Sequence, residues 1–292
     1  SKSFVPVSIE VIKISPYFII LIFYTSMKKL LLFLFCLSLY PICFAYEEPI
    51  VKKPYQENPT SLLMIGNSFM YYNNSMHKPL LNLIRSSGKL GMGHRIRSIT
   101  INSSSLSWHD LESYINNENI GSFNINSENI LNEHESSGYQ MVIMQDCSQC
   151  PIHPELKNIF HQYVEKHTNF LKKRGIEASL MMTWAYKDKP EMTEKLAREY
   201  ILSGNKNNLL VIPVGLAFKN SSLEHPNIDL YTSDKRHPSR EGSYLAACMI
   251  FSSIFQISPV GNNYFFDLNK DIALNLQRVA WKTFQDFYST DK

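Results

Sequence analysis

Residues 61–69 read Ser-Leu-Leu-Met-Ile-Gly-Asn-Ser-Phe, and how this stretch is read decides the fold. Residues 62–65 form a short, uninterrupted apolar run closed by a glycine. A run this short, with no polar alternation, is what a strand buried on both faces requires, as in a parallel sheet with helices on either side. Outward from it, residues 141–144, 178–183 and 209–214 are likewise short and largely apolar, and residues 95–101, in which isoleucines alternate with polar residues, are a further strand candidate. Segments at helical spacing lie between and after them. Met76, Leu80, Leu83 and Ile84 precede Gly88, and Leu156, Ile159, Phe160, Tyr163, Phe170 and Leu171 precede Gly175, each glycine standing where a helix C-terminus favours one. Leu196, Tyr200 and Ile201 mark a third helix, Tyr244 to Ile250 a fourth starting at Ser239, and Ile272, Leu276, Val279 and Phe287 a last one. Strands alternating with helices predict an α/β chain: a three-layer α/β/α sandwich around a five-stranded, mainly parallel sheet of the flavodoxin-like kind.

Composition agrees with a packed domain. Of 292 residues 44% are hydrophobic, 12% aromatic and 19% charged, which excludes a disordered chain or a coiled coil. Residues 1–45 stand apart. They contain one acidic residue and two apolar stretches, the second following Met27-Lys28-Lys29 and ending in Cys43-Phe44-Ala45. A basic start, a short apolar run and small residues at its end are the marks of a signal peptide. Pro41 and the shortness of the run disfavour a membrane anchor, which needs about 20 apolar residues. The reading is an upstream extension over 1–26, a signal peptide over 27–45, a polar, proline-containing leader over 46–60, and one domain over 61–292. The mature chain is expected to be secreted or periplasmic, without a stable membrane span.

Residues 1–45 hold four lysines and one glutamate, so the remainder balances 25 basic against 25 acidic residues. With no basic stripe, a nucleic-acid partner is not expected. Three of the five cysteines lie beyond the signal peptide. Cys147 and Cys150 read as a small disulfide or as plain thiols in preference to a redox or zinc motif, and Cys248 reads as a buried thiol in an apolar helix.

In open parallel sheets ligands bind beyond the carboxyl ends of the strands. Three such positions carry reactive or polar groups: Gly66-Asn67-Ser68-Phe69, Gln145-Asp146-Cys147-Ser148 and Asp234-Lys235-Arg236-His237-Pro238-Ser239. A serine hydroxyl becomes a nucleophile when an imidazole takes its proton, and the imidazole needs a carboxylate to fix its tautomer. Asp234 and His237 stand three apart, so one tight turn can present both to Ser68. On this motif alone, Asp234 and Ser239 as turn and cap residues with His237 on the surface is an equal alternative.

The motif GNSF at 66–69 resembles the first block of the SGNH, or GDSL-type, hydrolases, and DKRHPSREGSYLAA at 234–247 resembles their last. The GSYLAA continuation, Ser258-Pro259 and the Leu276-Gln277 helix look like one subgroup of that family. The similarity spans about residues 61–290. It implies that Ser68 is the nucleophile, His237 the proton relay and Asp234 its orienting carboxylate, in an esterase with no metal or organic cofactor. The substrate it suggests is a small-molecule or carbohydrate ester with a short acyl group, acetyl included. Where the family's second block has a glycine, this chain has Asn102-Ser103-Ser104-Ser105-Leu106, and where the third has an asparagine it has Gln145. The expected oxyanion donors are therefore the Ser68 amide, Gln145 and the Ser104 amide. The altered blocks leave two other readings: a glycan-binding protein that has lost turnover, and an acyltransferase.

Other residues rank lower. His109 beside Trp108 reads as packing or a helix start. His153, His161 and His167, with Glu155 and Glu165, do not share one face as zinc ligands would. Tyr71, Tyr72 and Trp184 read either as groove lining or as closure of the sheet end. Mass spectrometry of the exported chain is expected to find Tyr46 as its first residue; an intact 1–45 segment on a membrane-bound product would overturn the signal-peptide reading.

Overall fold

The structure, a computed structural model, describes residues 47–117, 123–125, 127–133 and 138–289. The expected extension at 1–26 and signal peptide at 27–45 lie outside the described residues. In chain order the elements are β1 (Ser61–Gly66), α1 (Ser68–Tyr71), α2 (His77–Ser86), β2 (Arg95–Thr100), α3 (Leu111–Asn116), β3 (Phe123–Ile125), β4 (Leu131–Glu133), β5 (Met141–Met144), α4 (Lys157–Lys172), β6 (Glu177–Met181), α5 (Met192–Asn207), β7 (Leu210–Ile212), α6 (Val214–Glu224), α7 (Arg240–Phe255) and α8 (Lys270–Tyr288). Short 3₁₀ turns occur at Leu106–Trp108 and Cys150–Ile152.

Five strands form one sheet in the order β2-β1-β5-β6-β7, and every pairing in it is parallel. The α/β sandwich is as expected. All six residues of β1 are buried, as are all of β5, β6 and β7, which is why β1, β5 and β7 read as largely apolar runs. From β1 the chain first moves outward to β2 and later returns on the other side of β1 to build β5, β6 and β7. Right-handed crossovers therefore send α2 to one face and α4 and α5 to the other. The first layer is completed by α6, α7 and α8, which pack on one another, with α2 against α7. Every residue of α7 from Gly242 to Phe255 is buried. A Cβ on Gly242 would meet the Leu230 carbonyl, so glycine lets α7 press against the backbone that enters the His237 loop.

The strand ends differ from expectation. β2 stops at Thr100 and β6 at Met181, while the last strand covers only Leu210–Ile212. Pro213 is the N-cap of α6, a helix that the apolar pattern concealed. Its first residues, Val214 to Phe218, are all buried, so no periodicity separates them from a buried strand. The antiparallel pair β3 and β4 was likewise unexpected.

Residues 47–60 run against the amino ends of the strands. Pro49, Pro54 and Pro59 are buried, the Tyr55 and Gln56 amides donate to the Glu177 carboxylate (3.1 and 3.0 Å), and Lys52 donates to the Ser289 carbonyl. This docking lies at the opposite end of the strands from Ser68. Among the described residues no helix is long and apolar enough to cross a membrane.

Candidate active site

The change of direction after β1 creates a crevice between the carboxyl ends of β1 and β5, and Ser68 stands at its mouth. It is half-buried and is the first residue of α1. Asn67 caps that helix, its Oδ1 accepting from the Phe69 amide at 3.1 Å. The same carboxamide donates to the carbonyls of Ser104 (2.9 Å) and Asp146 (3.2 Å), tying the loops after β2 and β5 to the nucleophile's own turn. The Ser68 amide, in the first turn of a helix, has no intrahelical acceptor.

The imidazole comes from the other side. The Ser68 hydroxyl lies 2.8 Å from His237 Nε2, and His237 Nδ1 lies 2.5 Å from Asp234 Oδ2. Asp234 Oδ1 also accepts from the Arg236 and His237 amides and the Thr232 hydroxyl, at 2.9, 3.0 and 2.8 Å. Desolvation acts to raise the Asp234 pKa, but the bonds from the His237 ring, the two amides and Thr232 outweigh it and hold the carboxyl well below the usual range. The loop is closed at its base by the Tyr231–Pro238 bridge and by the Thr232 amide donating to the His237 carbonyl. Lys235 takes a left-handed conformation at φ 64° to complete the turn.

Aromatic rings fix the imidazole plane. Tyr72 stacks on His237 at 4.2 Å with 8° between planes, and Phe69 meets it edge-on at 5.5 Å. Phe69 in turn stacks on Trp184, and Trp184 on Phe218. The Trp184 indole donates to the Arg236 carbonyl at 2.9 Å, and Asn73 donates to the carbonyls of Pro238 and Ser239, so helix and loop hold each other.

The other two expected oxyanion donors are already engaged. Gln145 is fully buried: its Nε2 donates to Asn67 Oδ1 (3.1 Å) and to the Asp146 carbonyl, and its Oε1 accepts from the Asn67 amide (3.2 Å). Gly66 has no side chain to obstruct this, since a Cβ there would collide with Gln145. The Ser104 amide donates to the Ile101 carbonyl at 3.2 Å, and its hydroxyl lies 3.0 Å from His109 Nε2. Burial pushes His109 down to about 4, so this inner imidazole is neutral.

Asp146, which in the sequence is only the neighbour of Gln145, is almost fully buried. Its Oδ1 accepts from the Leu106 and Cys147 amides at 3.3 and 2.5 Å. Desolvation nevertheless pushes its carboxyl up to about 6. Cys147 and Cys150 form a disulfide, and Cys248 is a buried free thiol. Among the described residues, Asp146 with these two cysteines is the one group of potential ligands close enough to share a metal ion, but disulfide sulfurs are not thiolate ligands.

The remaining histidines serve elsewhere. His161 bonds Glu199, which also pairs with Lys157, and His167 lies 3.0 Å from the Leu106 carbonyl. His153 Nδ1 accepts from the Glu155 amide. Tyr71, the last residue of α1, is exposed, Trp108 is exposed on the loop after β2, and Trp184 is fully buried.

A carboxyl whose folded pKa is near 6 and whose unfolded value is near 4 keeps its proton in the folded state across that interval. Its contribution to stability is present at low pH and is lost as pH rises through about 6. Asp146→Asn, which retains the acceptor oxygen, should therefore gain stability relative to wild type by up to about 3 kcal/mol between pH 4 and pH 7 in urea unfolding. No change in the difference between the two proteins would contradict the assignment.

No protein-family model matches the chain, and no curated protein matches its sequence. Solved structures do match. A DUF4886-family protein from Bacteroides uniformis superposes with a TM-score of 0.52 at 18% identity, over 76% of this chain and 93% of its own. A protein from Parabacteroides merdae, provisionally named a GDSL-like lipase, gives 0.50 at 11% identity, over 69% and 98%. At such identities the likeness speaks for the fold alone: this chain shares the α/β fold of these two proteins, a parallel sheet flanked by helices.

Proposed function

We propose that this chain is a serine hydrolase that cleaves a carboxylic ester through an acyl-enzyme on Ser68. The observation that carries the reading is the unbroken relay from Ser68 Oγ to His237 Nε2 (2.8 Å) and from His237 Nδ1 to Asp234 (2.5 Å). Geometry of this kind lets the imidazole take the hydroxyl proton as Oγ attacks the ester carbon, while the carboxylate holds the ring in the required tautomer. The proton then passes from Nε2 to the leaving alcohol. A water, activated by the same nitrogen, releases the acid. Charge on the tetrahedral oxygen falls to the Ser68 amide at the start of α1. In this reading Gln145 and Ser104 support the site by holding Asn67, not by donating to the oxyanion. The relay needs no metal or organic cofactor.

The finer reading is a short acyl group, such as acetyl, carried on a carbohydrate. It rests on the motif resemblance and on the exposed Tyr71 at the end of the Ser68 helix, an aromatic ring of the kind on which a sugar can stack. We further propose that the mature chain works outside the cytoplasm, in keeping with the residues at 27–45 and with a disulfide at Cys147 and Cys150.

Kinetics on p-nitrophenyl esters of graded chain length and on acetylated sugars test the reading. Ser68→Ala and His237→Ala should each lower kcat by about 10³-fold or more, and Asp234→Asn by about 10²–10⁴-fold, with KM little changed. Acetyl and propionyl esters should be preferred over long chains. Wild-type protein that binds acetylated sugars without turnover would favour the binding-protein alternative. Activity that survives Ser68→Ala would remove the nucleophile.

A further inference from the structure

The loop after β5 carries a second chemical group that ester hydrolysis does not use. Cys147 and Cys150 close a disulfide across a sequence separation of three, a loop so short that it restrains the unfolded chain very little. Their surroundings are asymmetric. Cys147 is partly exposed, whereas Cys150 is buried and opens the 3₁₀ turn Cys150–Ile152. The Cys150 amide points at Cys147 Sγ from 2.9 Å. On the inner side, an Asp146 carboxylate oxygen and both sulfurs all lie within 4.8 Å of one another. No cation pairs with Asp146 among the described residues, and Tyr200 of α5, which faces its charge, is kept protonated by burial.

We propose that Cys147 and Cys150 are a thiol-exchanging pair in which Cys147 is the sulfur attacked by an external thiol and Asp146 transfers the proton of Cys150. The thiolate of a small thiol such as glutathione attacks Cys147 Sγ, forming a mixed disulfide as the Cys147–Cys150 bond breaks. The electron pair leaves with Cys150 sulfur, which takes a proton from the Asp146 carboxyl. A second thiolate attacks the external sulfur of the mixed disulfide and releases the oxidised thiol, leaving Cys147 as a thiolate that the Cys150 amide stabilises. Two external thiols are thereby oxidised to one disulfide and the protein disulfide is reduced to two thiols. In the reverse direction the Asp146 carboxylate removes the Cys150 proton so that this sulfur can attack. Burial pushes the Asp146 carboxyl up to about 6, so both of its forms are accessible near neutrality. A disulfide with a purely structural role would need neither the amide on one sulfur nor the carboxyl beside both.

The test uses the whole chain carrying Cys248→Ser, with and without Ser68→Ala, in glutathione buffers of graded redox ratio, followed by acid quench, alkylation and peptide mass spectrometry. We expect reversible reduction by millimolar glutathione in the folded chain, identical in Ser68→Ala, which separates this site from the hydrolase reading. In the reduced protein Cys147 should be alkylated at least about tenfold faster than Cys150 at pH 7, as thiolate character dictates. In Cys150→Ser, glutathione should be found on Cys147. Asp146→Asn should slow exchange by about tenfold while the circular dichroism spectrum is unchanged. A folded chain whose disulfide resists glutathione, equal alkylation of the two cysteines, or wild-type exchange in a folded Asp146→Asn would each overturn the proposal. Were that variant unable to fold, the alkylation preference in the reduced parent would decide.

Discussion

Four hydrogen bonds converge on the side chain of Asn67: from the Phe69 amide and Gln145 Nε2 to its oxygen, and from its nitrogen to the carbonyls of Ser104 and Asp146. The partners lie in three loops: Phe69 in the one that leaves β1, Ser104 after β2, and Gln145 and Asp146 after β5. A buried carboxamide with every valence used has no alternative orientation, because turning it over would set donor against donor and leave buried groups unpaired. The position of Ser68, one residue along, follows from that knot. So does the absence of a side chain at Gly66, where Gln145 must pass.

The other half of the site is held by different means. The loop at 231–239 is exposed in its middle, and a short exposed loop gains little from burial. It is instead made stiff by the amides and hydroxyl on Asp234 Oδ1, by the bridge at its base, and by the indole of Trp184 on the Arg236 carbonyl. The stacked run from Phe69 through Trp184 to Phe218 connects this loop to the nucleophile's helix and to α6, while Tyr72 covers the imidazole. The core thus reaches the chemistry through rings, and the two halves keep their register without a covalent link.

Much of this was legible in the sequence because burial on both faces leaves a plain mark. The apolar runs at 62–65 and 141–144 correspond closely to β1 and β5, and Ser239 caps α7 as its position suggested. The strand expected over 209–214 runs past its true end at Ile212 for the same reason, since the buried start of the helix at Val214 continues the same apolar run. Ser68, Asp234 and His237 could be singled out because GNSF and DKRH are local motifs that resemble two blocks of a known family, whereas the spacing of Asp234 and His237 alone left a turn-and-cap reading equally open. The partners of Gln145 and Ser104 could not. Whether an amide points at a substrate or at Asn67 depends on how closely two strand ends approach, and no local pattern records that distance. Asp146 was hidden likewise, for nothing in a four-residue stretch tells that its second residue lies beneath the surface beside two sulfurs.

The central claim is that the hydroxyl held between the Asn67 knot and the His237 loop becomes covalently acylated. Rapid-quench mass spectrometry of the chain mixed with p-nitrophenyl acetate examines this directly. The account predicts a transient increase in mass of one acetyl group, mapped to the peptide containing Ser68, that forms with the burst of nitrophenol and decays at the turnover rate. Turnover of the ester with no adduct at any time, or an adduct on another residue with Ser68 unmodified, would contradict it.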